Sequence, residues 1–188
     1  GSLATYTPNS DYNGDDSFSF TVSDGDLSDS ATVTLTIDPV NDAPVFITTS
    51  LPSIDEDTEY SFTLEVFDID NDQANLDISI LSGPSWLDIS DFTLFGTPGD
   101  NDIGASTVLL NLTDGEINTS NTFELIVNPV NDAPVATTGL SGATNEDQFI
   151  VIALSGSDID GDELTFSLEL DATNGSVSID GSLATYTP

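Results

Sequence analysis

Three sets of acidic residues recur along the chain at a constant spacing of 90 residues. The first is a triple of alternating aspartates, Asp68, Asp70 and Asp72, repeated as Asp158, Asp160 and Asp162. The second is an adjacent pair, Glu56 with Asp57 and Glu146 with Asp147. The third combines Asn41 with Asp42 and Asn131 with Asp132, together with the Asp-Gly turns at Asp24 and Asp114. Alternating aspartates in a loop converge several carboxylate oxygens on one hard cation, and Ca²⁺ takes about six to eight oxygens at about 2.3–2.6 Å. Aspartate also suits turns for local reasons. That accounts for a lone Asp-Gly but not for three sets held in register, so these residues point to bound calcium.

Other carboxylate chemistries fit less well. The stretch from Asp158 to Glu169 has acids at the first, third, fifth and twelfth places of an EF-hand loop. However, Glu163 stands where the sharp turn needs glycine, Ser79 replaces the bidentate Glu in the sister copy, and the residues between alternate like a strand. Paired carboxylates also hydrolyse glycosides, but an active site repeated in every domain is not expected. With no Cys and no His, thiol catalysis, imidazole bases and the usual transition-metal ligands are absent. The expectation is that the chain is not an enzyme and that oxygen ligands for calcium are its only metal chemistry.

The 188 residues hold 34 Asp and Glu and no Lys, Arg or His, a formal net charge of −34. Nothing can pair with a phosphate backbone or an anionic lipid surface, so no nucleic acid and no membrane surface are expected as partners. No apolar run approaches the roughly 20 residues of a membrane span. Disorder is the other outcome of high acidity, but 37% of the residues are hydrophobic and they alternate regularly.

The elements that carry the acids are organised by two nested repeats. Residues 1–8 and 181–188 both read GSLATYTP, a period of 180, and Val22–Val45 matches Leu112–Val135 without a gap, a period of 90. Proline-containing connectors at 38–45 and 128–135 mark the boundaries. The expected layout is the C-terminal half of a domain at 1–45, a complete domain at 46–135 and the N-terminal half of a domain at 136–188. The two halves, joined through the shared octapeptide, make one further unit. Neighbouring copies therefore follow head to tail, as a covalent array in preference to separate chains donating strands, since under donation two identical octapeptides compete for one slot.

Period-two alternation runs through Phe18, Phe20 and Val22, through Val33, Leu35 and Ile37, through Phe62, Leu64 and Val66, through Val108, Leu110 and Leu112, and through Phe123, Leu125 and Val127. Such segments between Gly, Asp, Asn and Pro clusters are half-buried antiparallel strands. The expected class is all-β, with tandem antiparallel β-sandwiches of about seven strands each in a linear array. Trp86 reads as a core aromatic in preference to a sugar-stacking one.

The connector NDAPV, the early Glu, the alternating aspartates and the later Asp-Gly together resemble the cadherin repeat. Residues 84–116, with Trp86-Leu87, Gly96-Thr97-Pro98 and Asp114-Gly115, are similar to the dystroglycan-type cadherin-like domain. The unit shared by 136–188 and 1–45 resembles the cadherin-like tandem repeats of large secreted bacterial adhesins. The resemblance implies calcium at the domain junctions. One junction would use Asn41, Asp42, Asp68, Asp70 and Asp114. A second would use Glu56, Asn131, Asp132, Asp158 and Asp160. Glu146 and Asp24 would serve junctions with neighbouring copies. Ala43 and Ala133 stand where the cadherin connector has a second Asn, which implies fewer ions per junction.

The function expected from this reading is a calcium-stiffened structural repeat, a stalk or fibre of an extracellular or cell-surface adhesin. Two other classes stay open at this point: a module that binds a glycan, a cell-surface ligand or its own kind, and an accessory repeat of a giant secreted enzyme.

Overall fold

The computed structural model describes residues 2–188, and Gly1, the first residue of the half-domain expected at 1–45, lies outside them. Sixteen β-strands and two single-turn 3-10 helices make up the regular structure of the described residues. The chain divides into two compact units, Gly1–Asn128 and Pro129–Pro188.

The first unit begins with a two-stranded antiparallel ribbon of β1 (Gly14–Ser23) and β2 (Ser28–Ile37). After the connector come β3 (Val45–Phe46), β4 (Ile54–Asp55), β5 (Tyr60–Thr63), β6 (Val66–Phe67), β7 (Asp77–Ser82), β8 (Asp88–Ser90), β9 (Thr93–Gly96), β10 (Gly104–Thr113) and β11 (Asn118–Asn128). They form a four-stranded sheet in the order β4-β11-β10-β7, a three-stranded sheet β5-β9-β8 and the short pair β3-β6. Six of these nine strands are three residues or longer, the other three being two-residue bridges.

Alternation decides what each strand buries. In the register of β10 with β11, Val108 lies opposite Phe123 and Gly104 opposite Val127. Val108, Leu110, Leu112, Phe123, Leu125 and Val127 therefore share one face, since side chains on a strand alternate between faces. All six are buried, and all but Val127 join one core cluster with Leu64, Leu94 and Tyr60 on the side of the three-stranded sheet. Trp86 packs against this core with its ring edge-on to Tyr60, 6.0 Å between centroids at 85°. It is a core aromatic.

The expected run through Phe62, Leu64 and Val66 is broken. Leu64 N still donates to Phe92 O at 2.8 Å, but Glu65 O accepts from Ile47 and Thr48 N at 2.8 and 3.0 Å. The chain changes sheets between β5 and β6, which lets a single alternating segment serve both layers.

In the β1–β2 ribbon the same alternation puts Phe18, Phe20, Val22, Ala31, Val33, Leu35 and Ile37 on one face. The opposite face is Ser and Thr, with Ser19 and Thr32 hydroxyls 3.0 Å apart and Thr21 and Ser30 hydroxyls 2.8 Å apart. Phe20 and Val22 keep 49% and 62% of their surface exposed.

The second unit contains β12 (Val135–Ala136) paired with β14 (Gly156–Ser157), and a three-stranded sheet of β13 (Ile150–Ala153), β16 (Leu183–Thr187) and β15 (Ser176–Asp180) in that order. The alternating stretch that follows Asp158 does not form a strand. A strand needs a neighbour to accept its backbone hydrogen bonds, and none is present for it in this unit.

Candidate metal centre

The tip of the β10–β11 hairpin shows how the chain makes an oxygen site. Asp114 Oδ1 accepts from Glu116 N and Ile117 N, both at 2.7 Å, so one carboxylate oxygen caps the turn and the other faces away. That second oxygen, Oδ2, accepts from Asn41 Nδ2 at 2.7 Å, which ties the connector to the hairpin. These donors, the Ile117 N–H first, then the Asn41 amide and the Glu116 N–H, hold the Asp114 carboxyl below the usual carboxylate range.

The alternating aspartates are built in the same way. Asp68 Oδ1 accepts from Asp70 N and Asn71 N at 2.8 Å each. Asp70 Oδ2 in turn accepts from Asp42 N at 2.7 Å. Asn71 Nδ2 reaches Asn41 Oδ1 at 3.4 Å and Asp68 Oδ1 at 3.3 Å. Asn41, Asp42, Asp68, Asp70 and Asp114 are thereby drawn into one hydrogen-bonded group around the connector. Asp68 is only 7% exposed, and its Oδ2 is buried with no hydrogen-bond partner.

Asp72 stands apart, exposed at the start of the 3-10 turn Gln73–Asn75, with its backbone carbonyl taking Asn75 N at 2.8 Å and no side-chain cap bond. Asn71 belongs to the group and was not expected from the sequence. Its counterpart 90 residues on is Gly161, so the repeat carries no signal for it.

Glu56 lies at the other end of the same sandwich. It is buried, and its backbone N donates to Asn128 O at 3.0 Å, at the end of β11 remote from the Asp114 turn. In the second unit, Asp132 N donates to Asp160 Oδ2 at 2.7 Å, the same bond at the same length as Asp42 to Asp70. Asp158 Oδ1 accepts from Asp160 N at 3.0 Å and Asp162 N at 3.2 Å, and Asn131 Nδ2 donates to Asp132 O at 2.8 Å. Glu146 is exposed in the turn that leads to Asp147. Asp24 Oδ1 caps its own turn, from Leu27 N at 2.8 Å and Asp26 N at 2.9 Å, as Asp114 does.

With this geometry in hand, the sequence places the chain in a family. The family described as Bacterial Ig domain matches residues 1–36 and 131–188, half of the chain. The chain belongs to the bacterial Ig domains. The middle of this bacterial Ig chain, residues 43–128, matches the family described as Putative Ig domain. No curated protein matches the bacterial Ig chain. Among solved structures, mouse protocadherin-24 EC1-3 is similar over 92% of this chain and 65% of its own length, at 15% identity and TM-score 0.57. An endo-fucoidan hydrolase from glycoside hydrolase family 107 aligns with 97% of this chain at 19% identity and TM-score 0.44. The bacterial Ig chain spans 30% of that hydrolase's length and less than two thirds of the protocadherin fragment. The protocadherin likeness establishes the shared Ig-like, cadherin-like sandwich fold.

An oxygen-only donor set with one buried carboxylate oxygen lacking a partner fits a hard divalent cation. The chain has no cationic side chain to offer in its place. Asp68, Asp70 and Asp114, with the amide oxygen of Asn41, are the residues that would hold calcium in the first unit.

Proposed function

We propose that the chain is a calcium-stiffened structural repeat of an extracellular adhesin or fibre, acting as a stalk and not as an enzyme. The observation that carries this reading is Asp68 Oδ2, buried without a partner beside Asn41 and Asp70 at a domain connector. A buried carboxylate oxygen without a compensating charge or donor is costly. In a chain of net charge −34 without Lys, Arg or His, the positive charge must come from outside.

Extracellular calcium modules bind at about 10⁻⁴–10⁻³ M. Calcium at about tenfold over its Kd then adds about 1.4 kcal/mol per site, and at about a hundredfold about 2.7 kcal/mol. That is small beside a folded core but large beside the weak interface of two tandem domains. The role of the ion in this reading is to hold connector and hairpin tip together, bridging Asn41 to the sandwich that follows it.

Calcium titration by calorimetry, followed by small-angle scattering with and without chelator, tests the proposal. Binding in the submillimolar to millimolar range is expected, with a scattering profile that changes on chelation while the far-ultraviolet circular dichroism of the strands stays the same. Asp68→Asn, which preserves shape and removes the charge, should weaken calcium binding about tenfold or more. A scattering profile indifferent to chelator, or wild-type affinity in Asp68→Asn, would sink the reading.

A further inference from the structure

The chain holds two Asn-Gly pairs, Asn13-Gly14 and Asn174-Gly175. Asn followed by Gly marks a turn, and it is also a pair in which the chain can react with itself. The backbone nitrogen of the second residue reaches the side-chain carbonyl carbon of the first by closing a five-membered ring, an intramolecular attack favoured by proximity. Glycine puts no Cβ in its way. Which pair reacts then depends on the freedom that the fold leaves to both groups.

The fold leaves that freedom to one of them. Asn13 is exposed, and its side-chain amide makes no hydrogen bond among the described residues, whereas the amides of Asn41, Asn71 and Asn111 each donate to an oxygen. Gly14 follows at φ 119°, and an added Cβ would meet only the Tyr12 hydroxyl, 3.7 Å away. The same place in the complete sandwich is Gly104, at φ 110° with nothing within 4 Å of an added Cβ. The open space at this corner is therefore a property of the fold, kept where the whole domain surrounds it. Around Gly175, by contrast, an added Cβ would overlap the Thr187 carbonyl oxygen and the Tyr186 ring. The Tyr186 hydroxyl also donates to Asn174 O at 2.8 Å, so that backbone is held in place.

Asn13 stands beside the connector. With Asn41, Asp70, Asn71 and Glu116 it lines one cavity, and Asn41 and Asp70 belong to the hydrogen-bonded group described above. We propose that Asn13 is a self-modification site, whose carboxamide converts spontaneously to a carboxylate and so adds an anionic oxygen group to the wall of this cavity. The Gly14 nitrogen bonds to Asn13 Cγ, the Cγ–Nδ2 bond breaks, and Nδ2 leaves as ammonia with the proton that the Gly14 N–H gives up. Water then opens the five-membered imide at one of its two carbonyls, leaving aspartate or the isomer whose backbone runs through Cγ. Each conversion makes a chain of net charge −34 more negative by one. The counterpart of Asn13 90 residues on is Ile103, which confines the reaction to the first of the two sister hairpins. Calcium affinity rises with the charge of the ligand set, so the product should hold the ion more tightly. That consequence rests on the calcium reading, and the reaction itself does not.

The test follows wild-type chain held folded at neutral and mildly alkaline pH. Because the chain has no Lys or Arg for trypsin, it is digested with a protease that cuts after aromatic residues and read by mass spectrometry. Peptides carrying Asn13 should gain the amide-to-acid mass increment several-fold faster than those carrying Asn174, at a rate that rises with pH. In urea, where Gly175 is released, the two rates should converge. N13Q, whose longer side chain closes a less favourable ring, should abolish the change at this position with an unaltered circular dichroism spectrum. Calorimetry should show N13D binding calcium several-fold more tightly than wild type. A native-state rate at Asn13 no greater than at Asn174, or a ratio of the two that is the same in urea, would overturn the modification site, and equal calcium affinity in N13D would overturn its consequence. The two readings fail separately: a wild-type chain that binds no calcium leaves the mass change to be read, and an Asn13 that stays intact leaves the wild-type calorimetry untouched.

Discussion

At the level of single residues, aspartate does two kinds of work in this chain. One oxygen of Asp24 or Asp114 closes a turn by accepting two backbone N–H groups, and the other is left for a partner. The turn is local chemistry and can be read from Asp-Gly alone, whereas the Asn41 contact to Asp114 spans 73 residues and is set by the fold. Both carboxyls are held below the usual carboxylate range by those donors. A carboxyl with a lowered folded-state pKa contributes stability that is present above its unfolded pKa and is lost as pH falls through the folded value. Thermal melts across the acid range should therefore show the first unit weakening below about pH 4, and Asp114→Asn should flatten that acid dependence; an unchanged slope would refute it. A second residue-scale prediction concerns Gly96, at φ 150°. A Cβ there would overlap the Trp86 carbonyl oxygen and crowd its ring. Gly96→Ala should destabilise the sandwich by roughly 1–3 kcal/mol in chemical denaturation, from backbone strain and displacement of Trp86.

At the level of elements, the hairpins 90 residues apart are a natural controlled comparison, because the strand boundaries and turn bonds match while the environments do not. Leu110→Ala in the covered hairpin should cost about 2–5 kcal/mol, the usual range for emptying a packed leucine site. Phe20→Ala at the equivalent place should cost no more than about 0.5 kcal/mol in dilute solution, where its face is open. Equal losses in urea melts would mean that both faces are packed in the isolated chain. Strand identity in the hairpins was legible because period-two alternation needs only one covered face. The break between Leu64 and Val66 was not legible, since the pattern continues unbroken through a change of sheet. The alternating stretch that includes Leu168 and Leu170 was misleading for the converse reason: it has the pattern of a strand but no partner in its unit.

For the whole molecule, the decisive quantity is a net charge of −34 with no positive side chain. Every long-range electrostatic term between side chains is repulsive, and salt screens it with a length of about 10 Å at 0.1 M. Melting temperature should rise as monovalent salt is raised from about 0.01 to 1 M; a fall would mean that attractive pairs dominate, which the composition does not provide. Composition, alternation and the nested repeats determined by themselves that the chain is all-β, that its side chains offer a metal only oxygen ligands, and which aspartates recur. Those are properties of residue type and order. Tertiary structure decided how they meet, bringing in Asn71 and leaving Asp72 outside. The octapeptide shows why most directly. As residues 181–188 it contains β16, paired on both sides, while the identical residues 2–8 form no strand and leave Leu3 94% exposed. A strand is made by the neighbour that accepts its hydrogen bonds and covers its apolar face, and residue order alone does not supply that neighbour.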